Sequence, residues 1–217
     1  MPSPITKKVY EYFSQYTLRR YRKGQIFIFP GEKAAFVYCL KSGTVKQYAY
    51  SYRSDKVVVN VFDPPAYFPL TPLVAGLPIR YFFEAETSVE MYQAPAKETL
   101  KFFKSDAEVL FHIVSMVYAS VDVVLGRMVQ LMTGTAKTRV VYELLTECKK
   151  FDHRHGGAHS ATVHLNEKDL SARTGLSRET INRQLQKLKA LDLIEAKRGS
   201  ITVSDIEKLE KQLSNGR

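Results

Sequence analysis

Leu176-Ser177-Arg178-Glu179-Thr180-Ile181-Asn182-Arg183 is the stretch that decides the fold. Ser177 can cap a helix that runs from about Arg178 to Ala190, with Ile181, Leu185 and Leu188 facing inward. Just upstream, Asn166 can cap a shorter helix, with acidic Glu167 and Asp169 in its first turn and Leu170 and Ala172 as apolar positions. Gly175 ends that helix where a left-handed residue is needed, and Leu176 is an apolar plug between the two. Helix, glycine turn, helix is a helix-turn-helix. The outer face of the second helix keeps Arg178, Glu179, Asn182, Arg183 and Gln186. Arg178 and Arg183 can each fork onto guanine O6 and N7, and Glu179 can accept from a cytosine amino group. Lys168, Ser177 and Thr180 can bond phosphates and fix the register. A solvated helix face would carry similar charges, so the pattern alone leaves both readings open. Leu191-Asp192-Leu193-Ile194, the basic turn Lys197-Arg198-Gly199-Ser200 and Ile201-Thr202-Val203 read as strand, turn, strand. A hairpin placed there is a wing, with Lys197 and Arg198 at its tip within reach of phosphate.

Further upstream the pattern is helical from Ser105. Leu110, Val114, Val117, Val121, Val124, Met128 and Leu131 follow at alternating spacings of four and three, a heptad seam. It reads either as a buried core helix or as one strand of a dimer coil, and the recurring valines favour two strands. Gly126 permits close approach. The helix should end near Thr133-Gly134-Thr135, a natural hinge, and Val140, Val141, Leu144, Leu145 and Cys148 mark a second helix. Phe151–Thr162 reads as a solvated hairpin loop. Its His153, His155 and His159, with His164 beyond, match no closed zinc spacing, so no metal site is expected.

The N-terminal part changes character. Residues 6–18 read as an amphipathic helix with Val9, Tyr12 and Phe13 on one side. Short aromatic and β-branched runs then alternate with turn signals: Gln25–Phe29, Phe36–Leu40, Thr44–Tyr50, Val57–Phe62, Tyr81–Ala85 and Val89–Gln93. That spacing suggests a sandwich or barrel. Prolines at 64, 65, 69, 72 and 78 argue for a loop without regular helix between them. The chain therefore reads as α+β in three parts: a β-barrel or jelly roll over 1–104, a dimerisation helix and hinge over 105–134, and a winged helix-turn-helix over 135–217.

Composition narrows the function. Lys and Arg number 32 against 22 Asp and Glu, a net charge of +10, which favours partners with phosphates. The 16 basic and 11 acidic residues of 1–134 recur as 16 and 11 in the shorter 135–217, so patterning must locate the site. Two cysteines, Cys39 and Cys148, exclude a disulfide framework and a four-cysteine cluster. No nucleophile elbow, Walker loop or dinucleotide fingerprint is present, so an enzyme is not expected. With no signal-like apolar segment at the N-terminus, and no run of about 18 apolar residues, the expectation is a cytoplasmic protein without a membrane.

Leu176–Arg183 resembles the start of the recognition helix in the catabolite activator group of the CRP/FNR family, and Arg178, Glu179 and Arg183 match its three base-reading positions. The barrel is similar too, in Gly24-Gln25-Ile26-Phe27, Gly31-Glu32-Lys33-Ala34, Tyr38-x-Leu40 and Gly43-x-Val45. The resemblance covers essentially the whole chain. It implies a transcription regulator that binds double-stranded DNA as a homodimer, on a palindrome with TGTGA-like half-sites. It also implies contact with RNA polymerase; residues 152–160 sit where family members can touch it, in a sequence too generic to assign that role.

The effector region departs from the family. Cyclic-nucleotide members carry a Gly-Glu pair and then an Arg around the phosphate; here the matching stretch is Tyr67-Phe68-Pro69-Leu70-Thr71-Pro72, with Arg80 out of step. The helix positions that would meet the base are Val124 and Leu125. Cyclic AMP is therefore not expected as a cofactor. The aromatics Tyr67, Phe68, Tyr81, Phe82 and Phe83 either fill the barrel or line a pocket. In the second case Tyr67, Phe68, Arg80 and Phe82 would hold an unidentified small-molecule effector, with Arg80 on an anionic group.

Overall fold

Strand Phe36–Ser42 (β3) is buried on both faces over Val37–Leu40, and this fixes how the N-terminal part is layered. The computed structural model describes residues 3–52, 54–155, 159–197 and 199–214, the side chains of 150–155 and 214 excepted. The chain divides into two compact units, Met1–Ser120 and Val121–Arg217.

The first unit packs two four-stranded antiparallel sheets. One has the order β1 (Thr17–Tyr21), β8 (Val89–Pro95), β3, β6 (Ala66–Phe68); the other has β2 (Ile26–Ile28), β7 (Phe82–Ala85), β4 (Val45–Tyr50), β5 (Lys56–Phe62). Alternation along β3 sends Tyr38 and Leu40 between the sheets, where they meet Phe68, Phe83 and Met91. Val37 and Cys39 point the other way. They pack with Tyr67 and Ala94 under Val9 and Phe13 of α1 (Pro4–Ser14), Phe103 of α3 (Ala96–Ser105), and Val109 and Ile113 of α4 (Ala107–Thr133). Gly43 turns β3 into β4 at φ +82°, and a Cβ there would stand 2.3 Å from the Ser88 carbonyl oxygen, so this corner requires glycine.

The structure departs from the sequence expectations at several points. The helix expected over 6–18 ends at Ser14, and Thr17–Tyr21 is a strand. Arg20 lies opposite Glu90 and bonds it at 2.7 Å, so cross-strand pairing overrides the helical spacing. The proline segment holds the short helix α2 (Leu70–Ala75), with Pro72 in its first turn, where a missing N–H costs nothing. By length and composition α4 is apolar enough to cross a membrane, against the expectation that no segment is. One flank of α4 is committed to protein, however: Val109 and Ile113 lie in the barrel-side core, and Arg127 pairs with Glu143.

The second unit takes the C-terminal half of α4. It continues through α5 (Ala136–His155), β9 (Ala161–Val163), α6 (Glu167–Thr174), α7 (Arg178–Ala190), β10 (Ile194–Lys197), β11 (Ser200–Val203) and α8 (Ile206–Ser214). Its core joins Val140, Leu144 and Cys148 of α5 to Leu170, Ile181, Leu188, Ile201 and Leu209. The wing is a three-stranded sheet of order β10-β11-β9. Phe151–His155 belongs to α5 rather than to a loop, and Leu191–Leu193 is a turn with Asp192 at φ 54° rather than strand. Residues 156–158 lie outside the described residues, and with them part of the 152–160 segment.

Candidate nucleic-acid interface

Each helix of the α6–α7 pair is started by the cap its sequence announces. The Asn166 side chain accepts from the N–H groups of Lys168 and Asp169, and the Asp169 carboxylate accepts in return from the Asn166 N–H at 3.0 Å. Gly175 closes α6 in the left-handed region, at φ 70°. The Ser177 hydroxyl accepts from the Thr180 N–H at 3.1 Å and starts α7. The two side-chain hydroxyls also bond each other at 2.9 Å. Arg173 of α6 is buried and reaches Glu147 of α5 at 2.7 Å, so α6 is tied to the core by charge as well as by Leu170.

With Ile181, Leu185 and Leu188 buried, the rest of α7 is turned outward. Arg178, Glu179, Asn182, Arg183, Gln186 and Lys187 are all exposed. Lys168, Arg178 and Lys197 meet around a concavity of about 330 Å³ between the start of α6, the start of α7 and the wing. Lys197 also pairs with Glu195 at 3.2 Å. The candidate base-reading residues thus share the exposed face of one helix, and the candidate phosphate residues Lys168, Ser177, Thr180 and Lys197 surround its N-terminal end. Arg198 lies outside the described residues.

The candidate effector residues do not converge. Tyr67 points away from the barrel interior and stacks on Phe13 at 5.5 Å. Phe68 points inward, stacked on Phe83 at 5.4 Å and on Tyr38 at 6.0 Å. Phe82 stacks on Tyr48 at 5.2 Å and meets Phe29 and Tyr50 edge-on. Arg80 is exposed. Adjacent strand residues face opposite ways, so one run of aromatics cannot line one wall.

Sequence reading missed three arrangements. Glu84 is buried between Lys46 at 2.7 Å and Lys56 at 2.6 Å. Burial pushes its carboxyl up, but the two ammonium groups outweigh that and hold it below the usual carboxylate range. Asn182 of α7 donates to Glu167 of α6 at 3.0 Å. At the join of α4 and α5, Glu143 takes Arg127 Nε at 2.5 Å and Nη2 at 3.0 Å, and the Tyr142 hydroxyl donates to the Val123 carbonyl at 3.1 Å. Arg139 also caps the end of α4 through the carbonyls of Gln130 and Leu131. The close approach that Gly126 allows is therefore made by Tyr142 of the same chain, whose hydroxyl oxygen lies 2.0 Å from where a Cβ would stand. A mid-helix glycine was the one available signal, and it did not say what approaches. Burial pushes both thiols, Cys39 and Cys148, up to about 12, so neither is a thiolate near neutral pH.

A two-sheet barrel followed by a long helix and a winged helix-turn-helix defines a DNA-binding regulator rather than an enzyme. Residues 18–106 match the model of the cyclic nucleotide-binding domain, and residues 138–212 match that of the Crp-like helix-turn-helix domain. The chain is a transcription regulator of the CRP/FNR family. Among solved structures it is similar to FixK2 from Bradyrhizobium japonicum, at TM-score 0.74 and 22% identity over 90% of this chain and 96% of that one. It is also similar to a CRP/FNR family transcriptional regulator from Thermus thermophilus (TM-score 0.71, 19% identity, 93% and 100% covered). A third is the c-di-GMP responsive global regulator CLP from Xanthomonas campestris (TM-score 0.74, 18% identity, 91% and 98% covered). No curated protein sequence matches the chain.

Proposed function

We propose that this regulator acts as a homodimer on a palindromic operator, and that its barrel takes no cyclic nucleotide. The observation that carries the dimer is the state of the α4 seam. Leu110, Val114, Val117, Val121, Val124, Met128 and Leu131 are 36–51% exposed in the single chain. Apolar side chains in heptad order left this exposed call for a second helix. Two paired α4 helices bring two α7 helices onto one duplex. Half-site centres about one helical turn apart put each α7 in a major groove. Arg178, Glu179 and Arg183 then read base edges, while Lys168, Ser177, Thr180, Lys197 and Arg198 hold phosphates.

The residues present do not fit a cyclic nucleotide. Phe68 and Phe83 stack inside the barrel, Pro69 precedes α2 and gives it no side-chain cap, and Arg80 is exposed. The packed interior favours the barrel-filling reading of the aromatics over a ligand pocket at Tyr67, Phe68, Arg80 and Phe82.

Fluorescence anisotropy tests the proposal, with a TGTGA-type palindrome, a duplex holding one half-site and a scrambled duplex, all at fixed salt. The palindrome should bind most tightly and without nucleotide. Arg178→Ala should lower its preference over the scrambled duplex by about 1–3 kcal/mol. Equal binding of palindrome and single half-site would overturn the dimer reading. An unchanged preference in Arg178→Ala would overturn the contact assignment.

A further inference from the structure

Asn182 lies on the exposed face of α7 next to Arg183 and one turn beyond Glu179. Its amide nitrogen donates to Glu167 Oε1 at 3.0 Å, across the turn of the helix-turn-helix. An ionised carboxylate only accepts hydrogen bonds, so this contact sets which way the amide faces. Nδ2 turns toward Glu167, and a flipped amide would set oxygen against oxygen. One N–H of the amide is taken; the second N–H and the carbonyl oxygen are left for a ligand.

We infer that Asn182 is a further specificity-determining residue, selecting adenine, and that Glu167 is its positioning residue. The inference rests on the reading of α7 as the recognition helix. In the major groove adenine presents the N7 acceptor beside the N6 donor. The free amide edge is the complement, with N–H to N7 and Oδ1 from N6. Guanine presents two acceptors, N7 and O6, and sets one of them against Oδ1. Thymine offers one acceptor and a methyl group, and cytosine a single donor. Adenine alone satisfies both groups of an amide held this way.

The position of Glu167 agrees. It lines the same concavity as Lys168 and Arg178, where phosphates are expected, and a carboxylate there works against phosphate binding. Its site in the first turn of α6 accommodates the charge, and its hydrogen bond spends that charge on orienting a side chain of the neighbouring helix. An anion that weakens general affinity while fixing one base-facing amide trades affinity for discrimination.

The test is selection from a randomised duplex library with the full chain, as wild type, Asn182→Ala, Glu167→Ala and Glu167→Gln, with thermal melts confirming that each is folded. Wild type should enrich a motif with adenine at one position of each half-site. Asn182→Ala should flatten that position by about tenfold and leave the positions read by Arg178 and Arg183 intact. Glu167→Ala should flatten the same position while binding scrambled DNA more tightly than wild type. Glu167→Gln keeps an acceptor oxygen for Asn182 and should retain most of the adenine preference. An Asn182→Ala motif identical to wild type, or one weakened evenly at every position, overturns the inference. If wild type enriches no motif, the recognition-helix reading falls and takes this inference with it.

Discussion

The Cα hydrogen of Gly126 has no room to become a methyl. Alanine there would gain roughly 1 kcal/mol of helix propensity, but its Cβ would stand 2.0 Å from the Tyr142 hydroxyl oxygen and 2.7 Å from Cζ. Gly126→Ala should therefore destabilise the protein by about 1–2 kcal/mol in urea unfolding. In a Tyr142→Ala background the same change should stabilise, because only the propensity gain remains. Loss of that sign reversal would show that Tyr142 does not occupy the space beside Gly126. What the sequence disclosed at this scale followed distance along the chain. Ser177, Asn166 and Gly175 act within three or four residues of themselves, and all three were legible. Glu143 lies 16 residues from Arg127, and Lys56 lies 28 from Glu84. Nothing local marks either pair, because an ion pair across elements leaves no period and no motif. Asn182 stood plainly on the outer face; its partner Glu167 was read only as a helix-start charge.

Among elements, those with one buried stripe were the readable ones. α7 has caps, a polar face and an apolar row, and its bounds were read as they stand. α4 advertised a seam that the single chain leaves bare. β3, buried on both faces, lacks the alternation that identifies a half-buried strand, and was legible over Phe36–Leu40 as an apolar run between turn signals. β1, polar and five residues long, passed for the end of a helix because its identity comes from pairing with β8. The seam yields a direct prediction. Burying a Val or Leu side chain is worth about 1.5–3 kcal/mol, so seven positions per helix outweigh any single exposed contact. Val121→Asp puts a charge at the middle of the stripe, where pairing would have to bury it without a partner. Sedimentation should show a dimer for wild type and a monomer for Val121→Asp, with circular dichroism unchanged because Val121 is 44% exposed in the chain alone. A dimeric Val121→Asp would mean that the contact lies elsewhere.

The whole molecule joins a barrel built like a nucleotide sensor to a DNA-binding unit, and that likeness tempts one to assign the ligand along with the fold. The fold follows from how two four-stranded sheets bury their inner faces, and many interiors satisfy it. Ligand binding needs particular atoms at the wall, and the proposal that this barrel takes no cyclic nucleotide rests on what fills its interior: Phe62, Phe68 and Phe83 pack within 5.0–6.0 Å of one another between the sheets. On that proposal, a nucleotide entering between the sheets would displace those rings and the contacts they make. A ligand at a hundred times its dissociation constant stabilises the folded state by about 2.7 kcal/mol, which for a chain of this size raises the melting temperature by roughly 5–10 °C. Millimolar cyclic AMP should move the midpoint by less than about 1 °C, a shift in keeping with negligible binding. A rise of several degrees would show that the barrel opens to the nucleotide, and the aromatic filling would then be a closed state displaced by ligand instead of a permanent core.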